Sequence, residues 1–340
     1  FKVKKIKKVK IAVVGVGHLG KHHVKHYSKL DNVNLVGVFD TDLQISKSIA
    51  EKYRIRNFKN YNELIEHVDA VSIVTPTKTH YEVSKFFLNN KKHVLIEKPI
   101  TNTVSEADDL IKIANLNNVL IQVGHIERFN PALFPLRELE LDPKYLEIQR
   151  LAPYTSRGTD VPVVLDLMIH DLDIVLHAVK SNVRKISASG VAVLSDSPDI
   201  ANARIEFDNG CVANLTVSRV SPERMRKIRV FSGGESTSYV SLDYQKQEGY
   251  IYRIAAEDAE KSSLWQKLLH AKDSAIVSEF AGKKVVREPV PIEKDEPLKL
   301  ELQHFIQCVD EKQTPKVSGQ AGRDGRRTPA PLHAHSGALF

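Results

Sequence analysis

The sequence contains little cysteine and no long apolar segment. Its 340 residues include only two cysteines, Cys211 and Cys308, which lie far apart and form no CxxC pair. This scarcity excludes a disulfide scaffold and a cysteine-based zinc site, and it favours a reducing compartment, so we expect a cytoplasmic protein. No apolar run approaches the roughly 18 residues that a membrane-spanning helix needs, and we expect no membrane association.

The body of the chain also lacks net charge, although the formal charge of the whole is +7. Residues 1–10 contain six lysines and residues 321–340 carry a net charge of +2, which leaves −1 for residues 11–320. A basic arm can bind polyanions, but a nucleic-acid-binding domain places its basic residues on a folded face. We therefore expect no nucleic-acid partner and interpret the lysines as a solvated leader before the first strand.

The first part of the chain alternates buried strands with helices. Continuous apolar segments at 10–14, 33–39, 70–74, 93–96 and 119–123 are typical of strands that are covered on both faces. Segments with helical character lie between them. At this chain length, which favours about two domains, the alternation predicts an N-terminal α/β domain with a doubly wound parallel sheet of the Rossmann type.

The first predicted strand runs into the sequence GVGHLG, and a helical segment follows. In such a motif Gly15 makes a tight turn, Gly17 lets the main chain approach a pyrophosphate, and Gly20 allows close packing of the helix on the strand. Asp40 ends the second strand, where a carboxylate accepts hydrogen bonds from ribose hydroxyls and repels a 2′-phosphate. The motif therefore predicts NAD as the cofactor. The predicted cofactor contacts of this turn are Gly15, Gly17, His18, Leu19 and Gly20.

Polar residues also follow two further strands of this predicted sheet. Thr75, Pro76 and His80 come after one strand, and Glu97 and Lys98 end another. Because ligands of open α/β sheets bind outside the carboxyl ends of the strands, we expect all five residues to face the cofactor. Two plainer interpretations stay open: the histidine can be an ordinary helix-start residue, and the lysine can be an exposed loop residue paired with the neighbouring glutamate.

The second part of the chain changes to consecutive strands with short turns. The segments 201–207 and 211–217 flank Asp208-Asn209-Gly210, which is typical of a β-hairpin turn. This pattern predicts a C-terminal α+β domain with an open, mostly antiparallel sheet.

One helix of this second part combines apolar and titratable residues. Residues 163–179 are mostly apolar, so we expect a helix that is buried nearly all round. At about 100° per residue, Asp166, His170, Asp173 and His177 fall within a stripe of about 60°. A buried stripe of acids and imidazoles is costly unless it is paired or functional.

Three interpretations of this stripe compete. In the one that we favour, it faces a substrate and His170 is a general base tuned by Asp166. A satisfied polar network without chemistry is the second. A metal site is the least favoured, because one helix supplies only two or three ligands, and we expect no metal.

Taken together, these motifs resemble the Gfo/Idh/MocA oxidoreductases. The resemblance rests on GVGHLG with Asp40, on Glu97-Lys98-Pro99, and on Asp166-x-x-x-His170, and it covers roughly residues 8–318. It implies an NAD-binding Rossmann domain over 1–128 and a substrate-binding and oligomerisation domain over 129–318. It also implies a homo-oligomer, a dimer or tetramer, formed through the C-terminal sheet. The catalytic set that it implies is Lys98, Asp166 and His170.

Within the family, local stretches such as IANARIEFDNGCVANLTVSR are similar to the nucleotide-sugar 3-dehydrogenases. This similarity implies oxidation of the C3 hydroxyl of UDP-N-acetylglucosamine or its uronic acid, and use of the product by an aminotransferase in lipid A or O-antigen biosynthesis. A UDP diphosphate needs cationic partners, which Arg157 can supply, with Arg128, Arg150, Arg219 or Arg224 as alternates. The predicted substrate-binding residues are Arg128, Asn130, Arg157, Asp166 and His170.

Two other functions stay open. One is an inositol or other free-sugar dehydrogenase of the same family, and the other is an NAD(H)-binding regulator without catalysis. Residues 319–340 depart from the family, because they show no helical period and contain several glycines and prolines. We expect a disordered tail there, of natural origin or produced by a shift of reading frame.

Overall fold

The computed structural model describes residues 8–139, 141–154, 162–234, 237–254, 275–280 and 283–327. The chain divides into two compact units, the first built from residues 8–129 and 296–327 and the second from residues 130–295. The first junction lies one residue from the expected domain boundary. Residues 296–318, which we expected in the second domain, instead belong to the first unit.

The first unit alternates strands and helices as the sequence pattern predicts. Its elements are β1 (Val9–Val14), α1 (Gly20–Tyr27), β2 (Val33–Phe39), α2 (Leu43–Tyr53), β3 (Arg56–Asn57), α3 (Tyr61–Ile65), β4 (Ala70–Ile73), α4 (Thr77–Asn89), β5 (His93–Glu97), α5 (Val104–Asn117) and β6 (Ile121–Gly124).

These strands form a six-stranded parallel sheet in the order β3-β2-β1-β4-β5-β6. The chain therefore runs outward in both directions from β1 and β4, which is the doubly wound arrangement. Both faces of the sheet are covered. Ala12 and Val14 belong to one apolar core, whereas Ile11 and Val13 of the same strand belong to the core on the opposite face.

Two helices from the end of the described chain complete this unit. The helix α8 (Pro297–Glu311) begins with a proline and packs Leu302 and Phe305 into one of the two cores. Its apolar spacing and its N-terminal proline are typical helix signals.

The expectation of a disordered tail is wrong for residues 319–327, which form the helix α9 (Gly319–Arg327). Val123 of β6 donates a main-chain hydrogen bond to Val317, and Gly322 packs so closely on Val123 that a Cβ atom would come within 2.6 Å of its side chain. Arg323 binds Asp108. The glycines of this segment thus allow close packing of the helix on the sheet. Residues 328–340 lie outside the described residues.

The second unit is built around one large sheet. Its elements are α6 (Pro135–Glu138), β7 (Pro143–Leu151), α7 (Ile169–Ala178), β8 (Val183–Val191), β9 (Ile200–Phe207), β10 (Val212–Ser218), β11 (Met225–Ser232), β12 (Ser238–Asp243), β13 (Glu248–Ile254), β14 (Ala275–Phe280) and β15 (Lys283–Pro289).

The nine strands are ordered β14-β15-β13-β12-β11-β7-β10-β9-β8, and every neighbouring pair is antiparallel except β7 with β10. The predicted hairpin joins β9 to β10, and Gly210 takes the positive φ, 82°, that its turn requires. Buried side chains alternate with half-buried or exposed ones along β9 and with half-buried ones along β12, so one face of the sheet covers an apolar core and the other is more open. The α+β prediction is confirmed.

In the part of the chain that the structure describes, no helix has the length and apolar character needed to cross a bilayer.

Candidate active site

The glycine-rich turn between β1 and α1 has the geometry of a dinucleotide-binding loop. Gly15 has a φ of 87°, and a Cβ atom on it would lie 2.6 Å from the Val74 carbonyl oxygen. A Cβ atom on Gly20 would collide with the Gly15 carbonyl oxygen, so the helix can start here only with glycine. Around Gly17, in contrast, there is open space within 4 Å. The fold requires Gly15 and Gly20, whereas Gly17 leaves room for a pyrophosphate.

His18 and Leu19 are exposed in the same turn, and 52% of Leu19 is accessible. Both side chains therefore lie where a bound cofactor can contact them. Asp40 holds the turn from the end of β2: its Oδ2 accepts a hydrogen bond of 2.7 Å from the Val16 amide, and its Oδ1 accepts one of 2.9 Å from the Asp42 amide. The carboxylate is thus fixed beside the glycine loop, as the predicted ribose contact requires.

Of the residues after β4, His80 serves a different purpose from the one predicted, whereas the cofactor contacts of Thr75 and Pro76 stay predictions. Thr75 and Pro76 follow the strand and lead into α4, and the Thr79 hydroxyl donates to the Thr75 hydroxyl at 2.8 Å. His80 is 1% exposed, with Nδ1 2.9 Å from the Pro99 carbonyl oxygen and Nε2 2.8 Å from that of Thr75. We correct the expectation that this ring contacts the cofactor, because it is buried and holds two loops together.

The half-buried Glu97 at the end of β5 joins a polar cluster with the buried His23 and Ser72. Glu97 Oε1 lies 3.1 Å from Nε2 of His23, and the other ring nitrogen, Nδ1, lies 2.8 Å from the Ser72 hydroxyl. Glu97 Oε2 accepts the main-chain N–H of Lys98 at 3.2 Å. Neither His23 nor Ser72 was predicted. The available signal was the position of His23, three residues after Gly20 on a helix that must pack against the sheet.

The two carboxyl groups of this region differ in ionisation. Burial alone would raise the pKa of Glu97, but the hydrogen bond and charge of His23, together with the charge of Lys98, hold that pKa below its ordinary value. Glu301 of α8 is fully buried, and burial followed by the charge of Glu97 raises the pKa of Glu301 well above its ordinary value. Glu97 therefore keeps its charge to a lower pH than an ordinary glutamate, whereas Glu301 stays protonated to a higher pH.

The helix with titratable residues starts in the second unit as a π-helical turn, Val164–Met168, and continues as α7. Single π turns are often found at functional sites. Asp166 lies in this turn and His170 follows in the first turn of α7; both are half-buried. The rest of the predicted stripe divides, because Asp173 is buried whereas His177 is exposed.

The expectation of a helix buried nearly all round is therefore wrong at several positions: His177 is exposed and Leu165 is 39% exposed. The half-buried pair formed by Asp166 and His170 is the part of the stripe that remains a candidate for chemistry. Lys98 belongs to the first unit and this pair belongs to the second.

Several predicted substrate contacts are parts of the fold instead. Arg150 is bound to the buried carboxylate of Asp171, and Arg219 binds the buried Asp199 at 2.8 Å. Asn130 is 2% exposed; its Nδ2 donates to the Tyr244 carbonyl oxygen at 2.8 Å and its Oδ1 caps the next short helical turn. We therefore correct the expectation for these three residues.

The structure describes two of the three other arginines that we expected at the substrate. Arg128 is half-buried in the short 3-10 turn Ile126–Phe129, and Arg224 is exposed. Arg157 lies outside the described residues. Within the described ranges, no group of three or more His, Cys, Asp or Glu side chains is arranged to hold a metal ion.

Comparison with known proteins agrees with this geometry. The family model described as "Oxidoreductase family, NAD-binding Rossmann fold" matches residues 9–125, and that of the "GFO/IDH/MocA C-terminal domain" matches residues 146–236. The chain is 36% identical over 316 residues to UDP-N-acetylglucosamine 3-dehydrogenase of Acidithiobacillus ferrooxidans, which covers 93% of each protein. A solved structure of that enzyme matches with a TM-score of 0.83 and 35% identity over 94% of both chains.

More distant relatives extend the comparison. The scyllo-inositol 2-dehydrogenase (NAD(+)) of Bacillus subtilis is 27% identical over 336 residues, or 91% of this chain and 89% of that enzyme. GenD2 from gentamicin A biosynthesis, solved in complex with NAD, has a TM-score of 0.73 at 17% identity over 94% of this chain and 91% of its own, which shows a shared fold. The described first unit is thus an NAD-binding Rossmann domain, and the chain belongs to the Gfo/Idh/MocA family of oxidoreductases.

Proposed function

We propose that the protein is an NAD-dependent dehydrogenase that oxidises the C3 hydroxyl of a UDP-N-acetylglucosamine-type nucleotide sugar. The observation that carries this proposal is the match over 93% of both chains to an enzyme named for this reaction. The motifs that the reaction needs accompany it: the open glycine loop, the fixed Asp40, and the group Lys98, Asp166 and His170.

The proposed chemistry divides between three side chains. His170 takes the proton of the C3 hydroxyl, since a neutral imidazole has a ring nitrogen that can accept it. Lys98 donates a hydrogen bond to the same oxygen and stabilises the negative charge that develops there. Asp166, one turn before the base, orients His170 or holds a neighbouring hydroxyl of the sugar. Bound NAD supplies the acceptor for the C3 hydride, and the protein supplies position and electrostatics.

Recognition of the UDP group requires a cation at the diphosphate. With Arg150 and Arg219 engaged in the fold, Arg128, Arg157 and Arg224 remain the proposed contacts. Of these, Arg128 is the half-buried one that the structure describes. The 3-keto product carries a ketone carbonyl, an electrophile suited to transamination, so we propose that an aminotransferase consumes it in lipid A or O-antigen biosynthesis in the cytoplasm.

The open face of the nine-stranded sheet supports the proposed homo-oligomer. Tyr145, Phe231, Tyr239 and Tyr252 lie side by side on four neighbouring strands, with ring centroids 5.7, 4.8 and 5.2 Å apart. Phe231 is 42% exposed in the monomer. A second copy that covers this aromatic band would bury it, so we expect a dimer or tetramer by light scattering, and dissociation in Phe231→Glu.

The experiment that tests the function compares four substrates with NAD: UDP-N-acetylglucosamine, its uronic acid, N-acetylglucosamine and myo-inositol. We expect NADH formation with a UDP-sugar and none with the free sugars. The inositol dehydrogenase relative makes polyol oxidation the second candidate, and turnover of myo-inositol without turnover of UDP-sugars would establish it instead. NAD binding without turnover of any of the four would favour the regulator hypothesis.

A further inference from the structure

The short segment Glu97-Lys98-Pro99 is held on both sides by buried histidines. On the N-terminal side, His23 is 1% exposed and contacts Glu97 at 3.1 Å through Nε2, while Glu97 accepts the main-chain N–H of Lys98. A Cβ atom on Gly124 would lie 2.9 Å from Glu97 Oε2, so the carboxylate is also packed against the neighbouring strand. The glutamate has little room to move.

On the C-terminal side, His80 contacts the Pro99 carbonyl oxygen at 2.9 Å through Nδ1 and the Thr75 carbonyl oxygen at 2.8 Å through Nε2. Both partners are carbonyl groups, which only accept hydrogen bonds. Each ring nitrogen must therefore carry a proton for both contacts to be hydrogen bonds. His80 thus fixes the position of Pro99 relative to the loop that follows β4.

We propose that His23 and His80 are positioning residues that fix Lys98, the first through Glu97 and the second through the Pro99 carbonyl. This inference rests on the proposed function for the role of Lys98 in turnover, but its structural part does not. A lysine side chain has four rotatable bonds, so the main chain below it must be fixed if its ammonium group is to meet one substrate oxygen. A misplacement of about 1 Å can reduce a rate a hundredfold.

Replacing each histidine by glutamine or by asparagine keeps the contact of one ring nitrogen and removes that of the other. A glutamine places its amide nitrogen near the position of a histidine Nε2, and an asparagine places its own near Nδ1. For His23 the contact that matters is made by Nε2, so His23→Gln keeps it and His23→Asn loses it. For His80 the contact to Pro99 is made by Nδ1, so His80→Asn keeps it and His80→Gln loses it.

We expect a crossed result, in which asparagine is the harmful substitution at position 23 and glutamine is the harmful one at position 80. His23→Asn and His80→Gln should lower kcat about tenfold or more, with the KM for NAD changed less than about threefold. His23→Gln and His80→Asn should stay within about threefold of wild type in kcat. His26→Gln is the matched control: His26 lies on the same helix α1 and is 7% exposed, but its Nε2 pairs with Glu296 rather than with the lysine segment.

A second measurement does not depend on turnover. Reductive ¹³C-methylation gives each lysine an NMR signal, and the signal of Lys98 is assigned by its loss in Lys98→Arg. We expect this signal to shift in His23→Asn and His80→Gln and to stay in place in His26→Gln. Equal losses of kcat in all four crossed variants, with an unmoved Lys98 signal, would overturn the proposal.

These readouts separate the two proposals. If no sugar substrate is turned over but the Lys98 signal shifts as expected, the proposed function fails and the positioning by the two histidines holds. If UDP-sugars are turned over but neither kcat nor the Lys98 signal distinguishes His23→Asn and His80→Gln from the other two variants, the function holds and the positioning role is wrong.

Discussion

Arg150 of β7 and Asp171 of α7 form a buried ion pair inside the second unit. The arginine Nε lies 3.0 Å from Asp171 Oδ2, and Nη2 lies 2.9 Å from Oδ1. The arginine side chain is 4% exposed and the aspartate is fully buried. Tyr244 donates its hydroxyl hydrogen to the same carboxylate at 2.8 Å, so the pair joins the sheet, the helix and a tyrosine in one polar network.

Removing one partner of this pair should destabilise the second unit strongly. We expect Arg150→Met to lower the free energy of unfolding by about 3–5 kcal/mol, because it leaves a charged carboxylate buried. Urea unfolding at pH 7 measures this change. Arg229→Met is the matched control, since Arg229 pairs with Glu147 at 3.1 Å on the open face and should contribute under about 1 kcal/mol. Similar losses for both variants would contradict the account.

Two glycines of the cofactor loop should respond differently to the same substitution. Gly20→Ala places a methyl group against the Gly15 carbonyl oxygen and should lower stability as well as NAD binding. Gly17→Ala meets open space in the protein, so it should leave the melting temperature within a few degrees and weaken NAD binding at least tenfold. Thermal unfolding and calorimetric titration with NAD test both. Unchanged NAD affinity in Gly17→Ala would exclude close approach of a pyrophosphate at this residue.

Glu301 should make the protein less stable as the pH rises. Its pKa is raised by burial and by the charge of Glu97, whereas the unfolded carboxyl ionises near a pH of about 4.3. Unfolding above that pH therefore releases a proton, and stability falls as the pH rises through the interval up to the folded pKa.

Glu301→Gln removes this dependence while keeping the shape of the side chain. We expect the stability of the variant relative to wild type to be higher at pH 8 than at pH 5, as measured by urea unfolding at both values. A constant difference between the two proteins at all pH values would show that Glu301 does not change its ionisation on unfolding.

The elements that depend on a local sequence pattern could be predicted from the sequence. The alternation of continuous apolar segments with helical segments predicts the parallel sheet. The spacing of Gly15 and Gly20 with Asp40 predicts the cofactor loop, because these requirements act between neighbouring elements of the chain. The hairpin at Gly210 is predictable for the same reason.

Contacts between distant residues were not predictable from one sequence. Arg150 and Asp171 are 21 residues apart, and His23 and Glu97 are 74 apart, so neither pairing follows from a helical or strand period. The same limit explains the misassignment of Asn130 and His80, whose polar groups are engaged by main-chain atoms that only the fold brings near. It also explains the wrong expectation of disorder at residues 319–327, because the packing of Gly322 on Val123 joins residues far apart in the sequence.

The transfer of deuterium from C3 tests the central claim most directly. Enzyme, NAD and UDP-N-acetylglucosamine labelled with deuterium at C3 are incubated together, and the reduced cofactor is analysed by mass spectrometry, with His170→Asn as the comparison. We predict deuterated NADH from wild type and at least a hundredfold slower formation from the variant. Unlabelled NADH from the labelled sugar, or equal rates from both proteins, would contradict oxidation at C3 by the proposed base.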